Sequence, residues 1–358
     1  MKTKINKIGS ATSPLKLSSE LQITPTGHIP SAGDVVVVRA LSESVTYGHL
    51  ELPSGRMAKI NRGDVLAGVF GKRRALKGFV GDIPAKVKAG DRLHLLNMGG
   101  LIGECKGHHS SYSDAIEVEV LGVAVDSDGR GLNISSNAIP PAETLFSSAP
   151  IIIVAGSSMH SGKTVAACEI IKQANQSGLK VAAAKMSGVA ALRDTYNMLD
   201  HGATVVASFL DCGLPSTVDM DDLGPVAKAL LNHLNRSNPD VIVVELGDGI
   251  LGGYSVDTIL RDADIRGAMT SLVFCTSDYV GVVGGQTVLN SFGLKIDVVA
   301  GSVTDSQMGE DYVRERLGIA AANAHRSGHQ LFFLCYGAAP NIQPIPIEPA
   351  IPEVAAAI

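Results

Sequence analysis

Between residues 150 and 336 the chain alternates short apolar runs with amphipathic stretches, a rhythm absent from the residues before 138. The runs fall at 151–155, 180–185, 204–209, 240–245, 271–276, 296–301 and 331–335. Each has the length of a strand buried on both faces. Between them, 163–177, 223–236 and 307–325 carry apolar residues at helical spacing. Strand and helix in alternation predict an α/β fold, a mostly parallel sheet with helices on both faces. Ligands of such sheets bind at the carboxyl ends of the strands, so the residues just after each run are the ones to inspect.

From about Gly33 to Ala138 the pattern is short strands punctuated by turns. Gly-Asp recurs at 33–34, 63–64, 81–82 and 90–91, each pair placed to end one strand and start the next. Uneven spacing excludes a solenoid and predicts a small β-rich barrel or sandwich. The expected organisation is an N-terminal extension over 1–30, a β-rich domain over 31–138, a linker over 139–149, the α/β domain over 150–336, and a Pro-rich, extended C-terminal tail over 337–358. Pro140-Pro141 mark the linker, because proline blocks both helix and ladder.

Composition narrows the class. The 358 residues suffice for two cores, and the chain is apolar-rich, poor in aromatics and without tryptophan. A net charge of −5 argues against a nucleic-acid partner. Five cysteines without paired spacing indicate neither a zinc site nor disulfides, which fits a reducing cytoplasm. The polar start reads as no signal peptide, and no apolar run reaches membrane-spanning length, so no membrane partner is expected.

The strongest chemical signal follows the run at 151–155. Gly156-Ser157-Ser158-Met159-His160-Ser161-Gly162-Lys163-Thr164 places small residues between a strand and a helix and closes on Gly-Lys-Thr. Such a loop curls backbone N–H groups around phosphate oxygens, with Lys163 reaching the terminal phosphates and the Thr164 hydroxyl able to ligate Mg²⁺. The usual spacing would put glycine at 157; here it stands at 156, which lengthens the loop by one residue. His160 is either a hydrogen-bond donor to phosphate or a spacer whose backbone does the binding. Two further strand ends carry chemistry: Lys185-Met186-Ser187-Gly188, and Glu245-Leu246-Gly247-Asp248-Gly249 after an apolar strand. A carboxylate there suits Mg²⁺, which takes hard oxygen ligands; Glu245 is the preferred acid and Asp248 the alternative. Asp194 is a third candidate carboxylate, in competition with Asp200, or else a helix N-cap. In the β-rich domain, Lys72-Arg73-Arg74 with Lys77 can hold an anion or tip a solvated hairpin. The adjacent His108 and His109 point to opposite faces of a strand or sit in a loop, so they do not share a metal.

Together, the long loop with Lys163 and Thr164, the Lys185 turn and Glu245 with its glycines resemble the dethiobiotin synthetase-like branch of P-loop NTPases, over roughly residues 150–336. Met186 stands where those proteins have Pro, and the β-rich domain has no counterpart in them. The resemblance implies ATP and Mg²⁺ as cofactors, with Thr164, Glu245 and Asp194 at the metal and Lys163, Lys185 and Glu245 as catalytic residues. It also implies a homo-oligomer, a dimer; it transmits no substrate, and a small-molecule substrate is the expectation beside it. The function expected is a kinase or ligase that phosphorylates or ligates a small metabolite through a phosphorylated intermediate. A nucleotide-switched carrier or assembly factor acting on a protein is the alternative, and a nucleotide sensor a third. No guanine signature Asn-Lys-x-Asp follows the later strands, which favours ATP over GTP.

Overall fold

The structure, a computed structural model, describes residues 1–337. The Pro-rich tail expected over 337–358 lies, from residue 338 on, outside the described residues.

Among the described residues of the C-terminal half, seven strands form a wholly parallel sheet. They are β1 (Ile151–Gly156), β2 (Val181–Lys185), β3 (Val205–Ser208), β4 (Val241–Glu245), β5 (Met269–Cys275), β6 (Val298–Ala300) and β7 (Ala320–Ala321), in the order β3-β2-β4-β1-β5-β6-β7. Helices α1 (Lys163–Gln176), α2 (Arg193–Asp200), α3 (Gly224–Asn235), α4 (Val256–Arg261), α5 (Ala263–Ala268), α6 (Tyr279–Ser291), α7 (Gln307–Arg316) and α8 (Gly328–Tyr336) connect or follow them. Alternate residues of β1 show why the runs are continuously apolar. Ile152 and Val154 face the cluster containing α1 and α8, while Ile151, Ile153 and Ala155 face the one containing α3, α4 and α6.

Two expectations at the end of this half are corrected. The run at 331–335 is not a strand but part of α8, whose buried residues Leu331, Phe332, Cys335 and Tyr336 repeat at helical spacing. A short apolar run alone does not separate the two. The helix expected over 307–325 stops at Arg316, because Gly318 takes φ 67° just past the helix end and the chain then enters β7.

The N-terminal half is β-rich. Strands Val35–Ala40, Val65–Phe70, Leu101–His108, Arg92–Asn97 and Glu117–Val125 pair in a closed ring, a small barrel. Residues 1–30, expected as an extension, are instead woven into this sheet. Lys2–Lys4 pairs with Glu20–Thr24, which pairs with Glu117–Val125, and Ile5, Ala11, Leu21 and Ile23 are buried. Their pattern is hard to read because the strands are short, two to five residues each. Gly81-Asp82 is not a turn either: it lies inside the strand Phe79–Asp82, where a side chain at 81 would meet the Glu104 carbonyl at 2.8 Å.

One hydrophobic cluster runs from the barrel (Val35, Val37, Leu101) into the segments that follow β2 and β3 (Met186, Ala190, Leu210). Polar ties reinforce the seam. Asn97 Nδ2 donates to the Ala190 carbonyl at 3.0 Å, the Leu192 amide to Glu51 Oε2 at 2.7 Å, and Tyr196 OH to the Pro53 carbonyl at 2.6 Å. The barrel is thereby held against the carboxyl edge that carries the phosphate-loop sequence.

Candidate functional site

The loop between β1 and α1 is shaped by contacts that tolerate no side chain. A Cβ on Gly156 would lie 2.6 Å from Ser161 Oγ and 2.7 Å from the Cys275 carbonyl. At Gly162, with φ 98°, it would lie 2.8 Å from Gly301 Cα. Glycine at 156 rather than 157 is therefore fixed by the close passage of β5, and Gly301 after β6 serves as a backstop to the loop. His160 takes the left-handed conformation, φ 61°, and is exposed, which suits the spacer role. Gly162 provides no side-chain cap, so the first amides of α1 are free to meet an anion.

Lys163 is 5% exposed, and its Nζ donates to the Ser158 carbonyl at 2.6 Å and to Ser161 Oγ at 3.4 Å. Burial pulls its pKa below the ordinary lysine value, and the nearby Lys185 charge adds to the effect. Thr164 Oγ1 donates to Glu245 Oε1 at 2.8 Å. Lys185 Nζ reaches the same Oε1 at 2.5 Å and Asp194 Oδ2 at 2.8 Å. Burial would lower the Lys185 pKa, but the two carboxylates outweigh it and hold the ammonium charged beyond the usual lysine range. Lys185 in turn holds Asp194 below the usual carboxylate range. Glu245 is 1% exposed, and its Oε2 is buried without any hydrogen-bond partner.

Lys163, Thr164, Lys185, Asp194 and Glu245 thus share one cavity of about 560 Å³, together with Met159, His160, Gly162 and Asp248. Gly156, Ser157, Ser158 and Ser161 do not open on it. Ser157 and Ser158 line a neighbouring cavity of about 660 Å³ behind the loop, shared with Asp248. Asp248 stands at the junction with φ 64°, its pKa raised by burial. The flanking glycines are sterically required: a Cβ on Gly247 would lie 2.1 Å from the Ser187 carbonyl, and one on Gly249 2.4 Å from the Ser157 carbonyl. Asp194 is not an N-cap, since Leu192 holds that position in α2, and Asp200 is exposed at the far end of the helix.

Residues of the barrel complete the cavity wall: Tyr47, Arg73, Asn97 and Met98. Of these four, sequence reasoning named only Arg73, as part of a basic cluster able to hold an anion; Tyr47, Asn97 and Met98 carry no local signal. His108 Nε2 meets Asp114 Oδ1 at 3.1 Å, and among the described residues no group of three or more His, Cys, Asp or Glu side chains is placed to hold a metal ion.

No protein-family model matches the chain, and no curated protein matches it. Solved structures give distant likenesses. The signal recognition particle receptor FtsY from Elizabethkingia anophelis, in complex with GDP, is 13% identical over 57% of this chain, with a TM-score of 0.31. The signal recognition particle 54 kDa protein from Aeropyrum pernix, in complex with GDP, is 14% identical over 51%, with a TM-score of 0.38. A DUF1611 family protein from Anabaena variabilis is 14% identical over 58%, with a TM-score of 0.38. The chain spans 59%, 43% and 64% of the lengths of these three.

The parallel sheet, the glycine-framed loop and Lys163-Thr164 at the head of α1 make the C-terminal half a P-loop NTPase fold. No helix among the described residues is long and apolar enough to cross a membrane.

Proposed function

We propose that the chain is a Mg²⁺- and nucleoside-triphosphate-dependent enzyme of the kinase or ligase type, transferring a phosphoryl group to a small metabolite held between the P-loop and the barrel. The observation that carries this reading is the position of the cavity. It joins the phosphate loop to a wall built by a second domain, which provides room for an acceptor beside the terminal phosphate.

The donor set fits Mg²⁺. Thr164 Oγ1 and the Glu245 carboxylate are hard oxygens in contact, and Glu245 Oε2 is a buried atom lacking a partner. Thr164 and Glu245 would hold the ion, which would supply charge neutralisation for the transferring phosphoryl group. Asp194, expected at the metal as well, is read instead as a partner of Lys185. Lys163 would leave the Ser158 carbonyl to meet the terminal phosphates, and the uncapped amides of α1 would cradle them. Lys185, braced by Asp194 and Glu245, would keep a fixed positive charge at the cavity floor. Asp248, its pKa raised by burial, is suited to accept a proton from an acceptor hydroxyl. ATP is the expected nucleotide, by the absence of a guanine signature.

Calorimetry with Mg²⁺-ATP and Mg²⁺-GTP tests the loop and decides the base. Lys163→Ala should abolish binding, and a variant that binds as tightly as the parent would sink the assignment. Nucleotide diphosphate release stimulated by a metabolite mixture supports transfer to a small molecule. The second reading, a nucleotide-switched factor acting on a protein, draws support from an exposed apolar face on α6 and α7: Val280 and Met308 are 81% and 72% exposed beside the stacked Tyr279 and Tyr312. Slow turnover indifferent to every metabolite would favour it.

A further inference from the structure

Of the three consecutive cations Lys72, Arg73 and Arg74, the outer two are matched by acids. Lys72 Nζ pairs with Asp219 Oδ2 at 3.1 Å, and Arg74 Nη2 with Asp82 Oδ1 at 2.6 Å and Asp219 Oδ2 at 3.4 Å. Arg73, the first residue of the two-residue strand Arg73–Arg74, faces away from Arg74 and is 3% exposed. Among the described residues no carboxylate pairs with it. Nη1 donates to the Leu96 carbonyl, Nη2 to Tyr47 OH at 2.7 Å, and the guanidinium lies 4.8 Å over the Tyr47 ring. Its Nε is buried without a partner. A guanidinium taken out of water without a counter-charge is costly, and buried charges are ordinarily paired. This one lines the P-loop cavity on the barrel side.

We propose that Arg73 anchors an anionic substrate, a small metabolite carrying a carboxylate or phosphate, whose other end faces the P-loop. The inference rests on the reading of this cavity as a phosphoryl-transfer site and adds the chemical class of the acceptor. A guanidinium fork matches a two-oxygen anion, and its remaining donors are the counterpart such an anion needs. Lys163 and the loop amides serve the nucleotide from the other domain, which leaves Arg73 to the second ligand. Tyr47 fixes the plane of the fork through its hydroxyl and ring.

The test is calorimetry on the full chain saturated with Mg²⁺ and a non-hydrolysable ATP analogue, titrated with succinate and, separately, inorganic phosphate. The parent is expected to bind one probe at millimolar concentration or below, and the preferred probe identifies the anion. Arg73→Gln should weaken that probe at least about tenfold, the loss expected for a bond to a charged group. Arg73→Lys should fall between, because it keeps charge and loses the fork. The analogue should bind all three proteins alike. Equal probe affinity in Arg73→Gln overturns the inference, as does a parent that binds neither probe. An equal loss of analogue affinity also overturns it, by moving Arg73 to the nucleotide. Where Arg73→Gln does not fold, an Arg73→Lys protein that binds the probe like the parent overturns it. A parent that binds a probe through Arg73 but no Mg²⁺-nucleotide sinks the phosphoryl-transfer reading instead.

Discussion

Replacing each of the two buried lysines by methionine should have opposite effects on the ligand-free protein. Lys163 is 5% exposed and meets only the Ser158 carbonyl and Ser161 Oγ, with no paired carboxylate among the described residues. Its removal forfeits one short and one long hydrogen bond from a charged group, together worth about 2 kcal/mol. It also relieves an unpaired buried charge that costs several kcal/mol, while the methionine stem fills the same space. Lys163→Met should therefore be about 1–2 kcal/mol more stable than the parent, though unable to bind nucleotide. Lys185 is the reverse case. Its ammonium is clasped by Glu245 at 2.5 Å and Asp194 at 2.8 Å, and Glu245 is 1% exposed. Lys185→Met leaves that carboxylate buried and uncompensated, a loss of about 3 kcal/mol. The Asp194 pair adds little, because that side chain is 35% exposed and regains water. Urea unfolding at neutral pH without nucleotide measures both changes as shifts of the midpoint at unchanged slope. Alkaline pH gives an independent check. The lowered Lys163 pKa means the unfolded chain holds more protons just below the ordinary 10.5, so parent stability climbs with pH there, a climb Lys163→Met lacks. The raised Lys185 pKa makes stability fall as pH passes above 10.5, a fall Lys185→Met lacks. A Lys163→Met protein as destabilised as Lys185→Met, with the same pH slope, would refute the reasoning.

Three further outcomes are expected. Glu245→Gln keeps shape but loses the charge, so its Mg²⁺ requirement for turnover should rise about 10–100-fold while nucleotide affinity changes little; an unchanged Mg²⁺ titration would remove Glu245 from the metal site. Gly162→Ala should cost more than Gly178→Ala: both glycines have positive φ, but only at 162 would the new Cβ meet backbone, Gly301 Cα at 2.8 Å, whereas nothing lies within 4 Å at 178. Strain alone is worth about 1–2 kcal/mol, so equal melting temperatures for the two variants would contradict the backstop role of Gly301. Gly99→Ala places a Cβ 2.1 Å from the Ala190 carbonyl at the seam between barrel and sheet. It should make the seam more susceptible to proteolysis and reduce turnover at unaltered nucleotide affinity; a loss of nucleotide binding as large as the loss of turnover would count against the two-walled cavity.

The carboxyl edge of the parallel sheet is legible in the chain because each strand there is buried on both faces, so apolar runs mark the strands and the residues after them mark the edge. That logic brings Lys163, Thr164, Lys185, Asp194 and Glu245 to one cavity whatever the strand order. It fails where the signal is short or shared. β7 is two alanines, and α8 is an apolar run whose helical spacing shows only once Phe333 is seen to be 49% exposed and Leu334 half-buried between buried Phe332 and Cys335. The barrel wall of the cavity fails for another reason: the seam is built from pairs such as Asn97 with Ala190 and Glu51 with Leu192, separated by 93 and 141 residues, and no local pattern encodes them. Arg73 lies between these cases. Lys72-Arg73-Arg74 reads as a solvated hairpin tip if charge is counted, yet the two residues of the strand Arg73–Arg74 face opposite ways. With Arg74 paired to Asp82, Arg73 is turned inward, where a cation ordinarily takes a partner. Alternation along the strand is therefore the signal for the barrel's contribution to the site, present in the amino-acid sequence and hidden when three charges are counted as one cluster.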